Sequence, residues 1–407
     1  MSGVHDVVVV GTGPGGSAAG YYLAERGVDV LLLDKSEFPR EKTCGDGLTP
    51  RAVAVLDEMG LLPTLARAGR HIDGVEIFAP DGYSTSARVP PIAGPGPSML
   101  VVPRIVLDNV LRDRAVQSGA RFEGRFHVAN IERTATGVIV RGERDGHRQA
   151  IAARMAIVAT GASVALPVRM GLLERAPRMM LAARAYGDGA VGLDGRIQIR
   201  FDNVPLPGYG WVFPLAGSSA NVGVGFYPPG RMSGHARSSP RTAFDRFVRA
   251  AMRAGPIGQG RLAGPVKAYP LRVDFPEAPT SRGRVMLVGE AAGLANPLTG
   301  EGIDYALESG RLAAEHAARM FAEGDFSPRR FTAYDAALRR RFERLFTFCR
   351  RLRDLSLSGP VLNRLVRLAA HRDDLKTALI DIVLGTREVS ETLLVKALLK
   401  RVFARIG

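Results

Sequence analysis

A run of four valines, Val7–Val10, opens directly into Gly11-Thr12-Gly13-Pro14-Gly15-Gly16. This junction restricts the fold more than any other part of the chain. An unbroken β-branched run predicts a strand buried on both faces, as in a parallel sheet. Ser17-Ala18-Ala19-Gly20-Tyr21-Tyr22-Leu23-Ala24 is helix-compatible, Gly27 ends that helix, and Val30-Leu31-Leu32-Leu33 predicts a second strand closing at Asp34. Gly11, Gly13 and Gly16 therefore occupy G-x-G-x-x-G with a strand before, a helix after and an acid 23 positions on. The first glycine permits a tight turn, the second lets the backbone approach a pyrophosphate, and the third allows close helix–strand packing. The helix N-terminus beginning at Pro14 and Gly15 offers N–H donors to the anion. Asp34, followed by Lys35, is placed to accept from ribose hydroxyls. Dinucleotide binding is the expectation.

Arg284-Val285-Met286-Leu287-Val288-Gly289-Glu290-Ala291-Ala292 again reads as a strand running into a turn. It continues through Asn296-Pro297-Leu298-Thr299-Gly300-Glu301-Gly302-Ile303 into a helix from about Asp304 to Phe321. This resembles the second flavin-contacting motif of the FAD-dependent monooxygenase-like superfamily. There a strand-end Gly-Asp meets the ribityl chain, and a Pro-x-x-Gly-x-Gly loop faces the flavin ring. The resemblance implies FAD contacts from Gly289, Glu290, Pro297, Gly300, Gly302 and Ile303. Glu290 is one methylene longer than the superfamily's Asp. Val102-Pro103-Arg104-Ile105-Val106-Leu107-Asp108 resembles the superfamily's Arg-x-x-x-x-Asp helix start, which assigns Arg104 to the cofactor. The strand Met155–Thr160 with Gly161 stands where the superfamily has Asp-Gly; Thr160 replaces that Asp. No second G-x-G-x-x-G follows a strand, so no dedicated nicotinamide domain is expected.

Two further segments narrow the resemblance. Phe38-Pro39-Arg40-Glu41-Lys42-Thr43-Cys44-Gly45-Asp46-Gly47-Leu48 follows the second strand, and Leu206-Pro207-Gly208-Tyr209-Gly210-Trp211-Val212-Phe213-Pro214 lies mid-chain. Together they resemble the geranylgeranyl reductase family, flavoenzymes that saturate isoprenoid double bonds of prenyl lipids, chlorophyll side chains and menaquinone tails. Leu206 stands where some members carry proline. The resemblance covers roughly residues 5–320. It implies Cys44 and Gly45 beside the flavin, Cys44, Tyr209 and Trp211 at the reaction centre, and Asp46, Tyr209, Trp211 and Phe213 at the substrate. Read from spacing alone, Tyr209, Trp211 and Phe213 share one strand face. That face suits either an apolar slot above a flavin or an aromatic core patch. Cys44 reads either as a small buried hydrophobe or as a group near the isoalloxazine ring.

Composition limits the remaining choices. The 407 residues allow two or three domains at roughly 100–200 residues each. With 46% apolar and 23% charged residues the chain is globular in type. Its two cysteines, Cys44 and Cys349, suggest no disulfide scaffold and a reducing, cytoplasmic setting. Met1–Asp6 carries no signal-peptide pattern, and no stretch approaches about 18 uninterrupted apolar residues. The net charge is +15, and residues 331–407 hold 16 Lys+Arg against 8 Asp+Glu, over half of the surplus. Leu338, Phe342, Leu345, Phe346 and Cys349 recur at helical spacing between arginines, and a last helix is expected from about Val389 to Ile406. This segment is either a helical cap with a solvated basic face or a basic surface resting peripherally on an anionic bilayer. No recognition motif points to nucleic acid. Metal-ligand spacing, a nucleophile elbow and a P-loop are lacking, and none of the seven histidines lies in a motif.

The expected architecture is α/β, α+β overall. An FAD-binding dinucleotide fold spans 1–165 with 280–330, interrupted near 76–98. An antiparallel β substrate domain occupies 166–279, with strands at Arg196–Phe201 and Asn221–Phe226, and a basic helical segment occupies 331–407. Pro90–Pro97 and Pro228–Pro240 read as loops. The expected activity is saturation of isoprenoid C=C bonds by hydride from reduced flavin, recharged by NADPH or ferredoxin. The proton has three candidate sources: Cys44, Tyr209 or a flavin-bound water. The alternatives are a monooxygenase or halogenase on the same fold, or a flavin-carrying binding protein. A halogenase would be expected to show Trp-x-Trp-x-Ile-Pro and an active-site lysine; this chain has Tyr-x-Trp-x-Phe-Pro and six lysines.

Overall fold

A computed structural model of the chain describes residues 3–91, 96–189, 193–228, 239–254, 260–356 and 358–385. The expected helix at Val389–Ile406 and parts of the loops Pro90–Pro97 and Pro228–Pro240 lie outside them. Strand His5–Val10, its valines fully enclosed, pairs in parallel with Val30–Leu33 and with His147–Val158. The sheet extends in parallel to Arg121–Glu123 on one side and Val285–Leu287 on the other. Strands Phe126–Arg133 and Val138–Arg144 add an antiparallel extension to His147–Val158. Helices Pro14–Ala24 and Ile303–Glu323 pack tightly on one another across this sheet. Gly11 turns the chain at φ +97°, where a β-carbon would also overlap the Ala159 carbonyl.

A second, seven-stranded sheet runs Arg261–Leu271, Met180–Asp188, Ala220–Phe226, Gly208–Pro214, Arg196–Arg200, Gly74–Phe78, Ser84–Arg88. All its pairings are antiparallel except Arg196–Arg200 with Gly74–Phe78. Helix Pro240–Ala254 covers one face through Phe244 and Phe247. The opposite face carries Ile197, Ile199 and Trp211 and meets Val366, Ile380 and Leu384 of helices Gly359–His371 and Asp373–Leu384.

In the described part of the basic segment, helix Pro328–Ser356 packs against the main body. Phe342 and Phe346 are buried edge-on against Phe275 and Tyr305. Arginines of the helix turn inward as well: Arg339 donates to the Pro276 and Ala278 carbonyls, and Arg341 to Glu308. Some of the charge read as a solvated face thus holds this stretch to the main body.

Candidate active site

A cavity of about 750 Å³ runs between the two sheets and the C-terminal helices. Its first end is the glycine turn. Gly11, Gly13, Pro14 and Gly15 line it beside Asp34 and Lys35. Helix Pro14–Ala24 has no side-chain cap at Gly13, which leaves its first-turn N–H groups to a bound anion. Asp34, at the end of the second strand, accepts from the Thr12 and Ser36 N–H groups at 2.8 and 2.9 Å. Arg104 is held by Asp108 through two bonds of 2.6 and 2.8 Å, and Arg40 reaches the same carboxylate at 3.0 Å. Gly161, Gly289, Glu290, Gly300, Gly302 and Ile303 continue the wall. The uncapped helix end, the strand-end acid and the paired guanidiniums fit the pyrophosphate and ribose of FAD. Two residues expected at the cofactor stand behind the wall. Gly16 lies within the packed first helix, and the Pro297 carbonyl accepts from the Tyr227 hydroxyl at 2.8 Å.

The middle of the cavity joins the Cys44 loop to the aromatic strand. Tyr209, Trp211 and Phe213 all face the cavity, their successive ring centroids 6.0 and 6.4 Å apart. Trp211 lies flat over Gly223 of the neighbouring strand, where any β-carbon would occupy the indole's place. Its Nε1 donates to Asn221 Oδ1 at 2.9 Å, while Asn221 Nδ2 donates to the Cys44 carbonyl and to Asp46 Oδ2, each at 2.8 Å. Asp46, in the left-handed region at φ +66°, also accepts from the Tyr186 hydroxyl at 2.9 Å and the Arg104 N–H at 3.3 Å. Burial pushes the Asp46 carboxyl up to about 6, opposed by these donors. The network fixes loop and indole together. Burial also raises the Cys44 thiol, which stays protonated beside the Arg104 guanidinium. Tyr209 donates its O–H to the Thr299 carbonyl, and burial raises it further.

Several wall residues escape sequence reading. Lys42 places its Nζ 3.2 Å from the Tyr269 ring centroid, and burial pulls it down to about 8 against the pull of Glu290. Arg184, almost wholly buried, donates to Glu41 at 2.5 Å, and Lys267 pairs with the same carboxylate. Glu301 stands in the wall with Oε1 accepting from the Ile303 N–H at 2.8 Å. An acid between two glycines of a flavin-facing loop was the available signal for it. The far end of the cavity is aliphatic, walled by Ile197, Ile199, Leu362, Val366, Leu379 and Val383. Among the described residues no group of three or more His, Cys, Asp or Glu side chains is arranged to hold a metal.

Residues 4–176 match the family model described as an FAD binding domain. The chain is 35% identical over 380 residues to the menaquinone reductase of Mycolicibacterium smegmatis, covering 88% of each. It is 30% identical over 348 residues to digeranylgeranylglycerophospholipid reductase 1 of Methanothermobacter thermautotrophicus, covering 82% of each. The chain belongs to the geranylgeranyl reductase family of FAD-dependent oxidoreductases. In fold it is similar to a geranylgeranyl bacteriochlorophyll reductase-like protein from Thermoplasma acidophilum. That match has a TM-score of 0.80 and 24% identity, over 91% of this chain and 92% of the other. The flavin-dependent brominase Bmp2 shares the fold at a TM-score of 0.74 and 19% identity, over 94% of each chain. In this chain the Cys44-Gly45-Asp46 segment and the Tyr209–Pro214 strand are joined through Asn221 into one hydrogen-bonded unit.

Proposed function

We propose that this family member saturates carbon–carbon double bonds of an isoprenoid chain, of geranylgeranyl type or borne by a lipid or quinone. The observation that carries the reading is the aliphatic end of the cavity, continuous with the end that fits FAD. Bound FAD, once reduced, supplies hydride. The chain's own residues do the rest: Trp211 and Phe213 form the wall, and the lobe draws an apolar tail out of water. Cys44 presents a protonated thiol, and Asp46, its oxygens committed, positions the loop. The relatives' names, menaquinone reductase and digeranylgeranylglycerophospholipid reductase, support this substrate class. NADPH or a ferredoxin recharges the flavin, and the protein works in the cytoplasm, peripherally at the membrane where such lipids reside. No described helix is long and apolar enough to cross a membrane.

One observation favours an oxygen-using monooxygenase or halogenase instead: Lys42 lies in the cavity wall. Its ammonium is occupied by the Tyr269 ring. Mass spectrometry of lipids from cells with and without the protein tests the choice. We expect an isoprenoid lipid to shift by two hydrogens per double bond; a shift by oxygen or halogen would sink the reductase reading.

A further inference from the structure

Hydride addition to an unactivated trisubstituted alkene requires a proton on the other carbon, so a reductase of this type needs an acid in the cavity. The ionisable groups of the wall differ sharply in what they can give. Glu41 is ion-paired with Arg184 and Lys267, which hold it ionised. Asp34 and Asp46 are committed as acceptors to backbone and side-chain donors. Burial raises Glu290 as well, but Lys42 and the Arg272 N–H, which it accepts at 3.1 Å, favour its ionised form. Tyr209 spends its O–H on the Thr299 carbonyl. Cys44 keeps its proton, but a thiol raised by burial is a weak acid.

Glu301 is different. Asp304 and Glu308 lie just beyond its loop on helix Ile303–Glu323, and among the described residues the cations paired with them are Arg51 and Arg341. Arg51 donates to Glu308 at 2.5 and 2.9 Å and lies 3.9 Å from Asp304, while Arg341 donates to Glu308 at 2.9 Å. Asp304 and Glu308 thus take up these guanidiniums, and among the described residues Glu301 forms no ion pair. Burial and the Asp304 charge both disfavour its ionised form and raise the Glu301 carboxyl, against the pull of the Gly302, Ile303 and Asp304 N–H groups. The groups that feel its charge across the cavity are Cys44 and Tyr209. Neither supplies a positive charge. The loop holding Glu301 also touches the aromatic strand, since Gly300 packs beneath the Tyr209 hydroxyl.

We propose that Glu301 is the proton donor of the reduction, an inference that rests on the isoprenoid reductase reading. The carboxyl O–H bond breaks and its proton bonds to the less substituted alkene carbon through the π electron pair. The tertiary carbon receives hydride with its electron pair from the reduced flavin, which is thereby oxidised. The carboxylate left behind keeps the Ile303 N–H at its Oε1 and regains a proton from water.

The test compares the wild-type holoenzyme with Glu301→Gln and Glu301→Asp, reduced anaerobically by dithionite and given a menaquinone and a geranylgeranyl glycerolipid. For Glu301→Gln we expect kcat to fall by about 100-fold or more with flavin content and KM unchanged. Glu301→Asp should recover part of the loss, and the wild-type fall in kcat toward alkaline pH should vanish in Glu301→Gln. A second readout needs no turnover. An acid raised in the folded protein costs stability progressively as pH climbs above its ordinary 4.5. Glu301→Gln should therefore gain Tm relative to wild type as pH rises, and the wild-type-minus-variant infrared difference at neutral pH should show a buried protonated-carboxyl band. Wild-type-like kcat in Glu301→Gln, or no such band, overturns the proposal and leaves the reductase reading standing. If the wild type saturates neither lipid, both fall.

Discussion

The two ends of the cavity are built in opposite ways. At the glycine turn, backbone N–H groups, a helix end and the Asp34 carboxylate face the ligand, all within residues 10–35. At the aliphatic end, side chains converge from strand Arg196–Arg200 and from helices Gly359–His371 and Asp373–Leu384, over 150 residues away in sequence. A cofactor common to many enzymes is gripped by short, local geometry. A substrate that distinguishes one enzyme from the next is gripped by packing between remote elements.

The largest effect should come from Gly11→Val. The left-handed φ and the Ala159 carbonyl leave no room for a β-branched side chain, so little or no flavin should co-purify. Retained flavin would mean that the turn is not the grip. Next comes Asn221→Ala, at the junction of the two ends. It strips partners from Trp211 Nε1, the Cys44 carbonyl and Asp46, and should cost about 3 kcal/mol in denaturant unfolding. A loss within 1 kcal/mol, on the order of one exposed bond, would show the network to be incidental. Val383→Trp sharpens the contrast. It should lower kcat/KM for a geranylgeranyl chain about tenfold by overfilling the lobe, spare a geranyl chain, and leave flavin content untouched. Equal losses on both chains would contradict a tail site there. The smallest effect is outside the cavity: removing residues 389–407, which carry Arg387's basic successors Lys396, Lys400, Arg401 and Arg405, should weaken binding to anionic liposomes with flavin retained. Unchanged binding would assign that stretch no membrane role.

This division also explains what the sequence could disclose. The first two strands, the turn and the helix at Ile303–Glu323 were legible because each is set by local periodicity and glycine placement. The shared face of Tyr209, Trp211 and Phe213 followed from strand alternation. Asn221 was not legible as the tie between Cys44 and Trp211, because its partners are 177 and 10 residues away and no spacing rule joins them. Lys42 and Glu301 sat inside quoted motifs without distinction; only folding shows that one faces an aromatic ring and the other forms no ion pair among the described residues. The arginines of Pro328–Ser356 read as surface charge, yet Arg339 and Arg341 face inward acceptors that belong to other elements.

The central claim is that reduced flavin in this cavity saturates an isoprenoid chain without oxygen. Its most direct test is a single-turnover assay of the holoenzyme, reduced with dithionite under anaerobic conditions and mixed with a prenylated lipid. The account predicts flavin reoxidation coupled to a product two hydrogens heavier. Flavin that stays reduced until oxygen is admitted, with oxygen or halogen in the product, would contradict it.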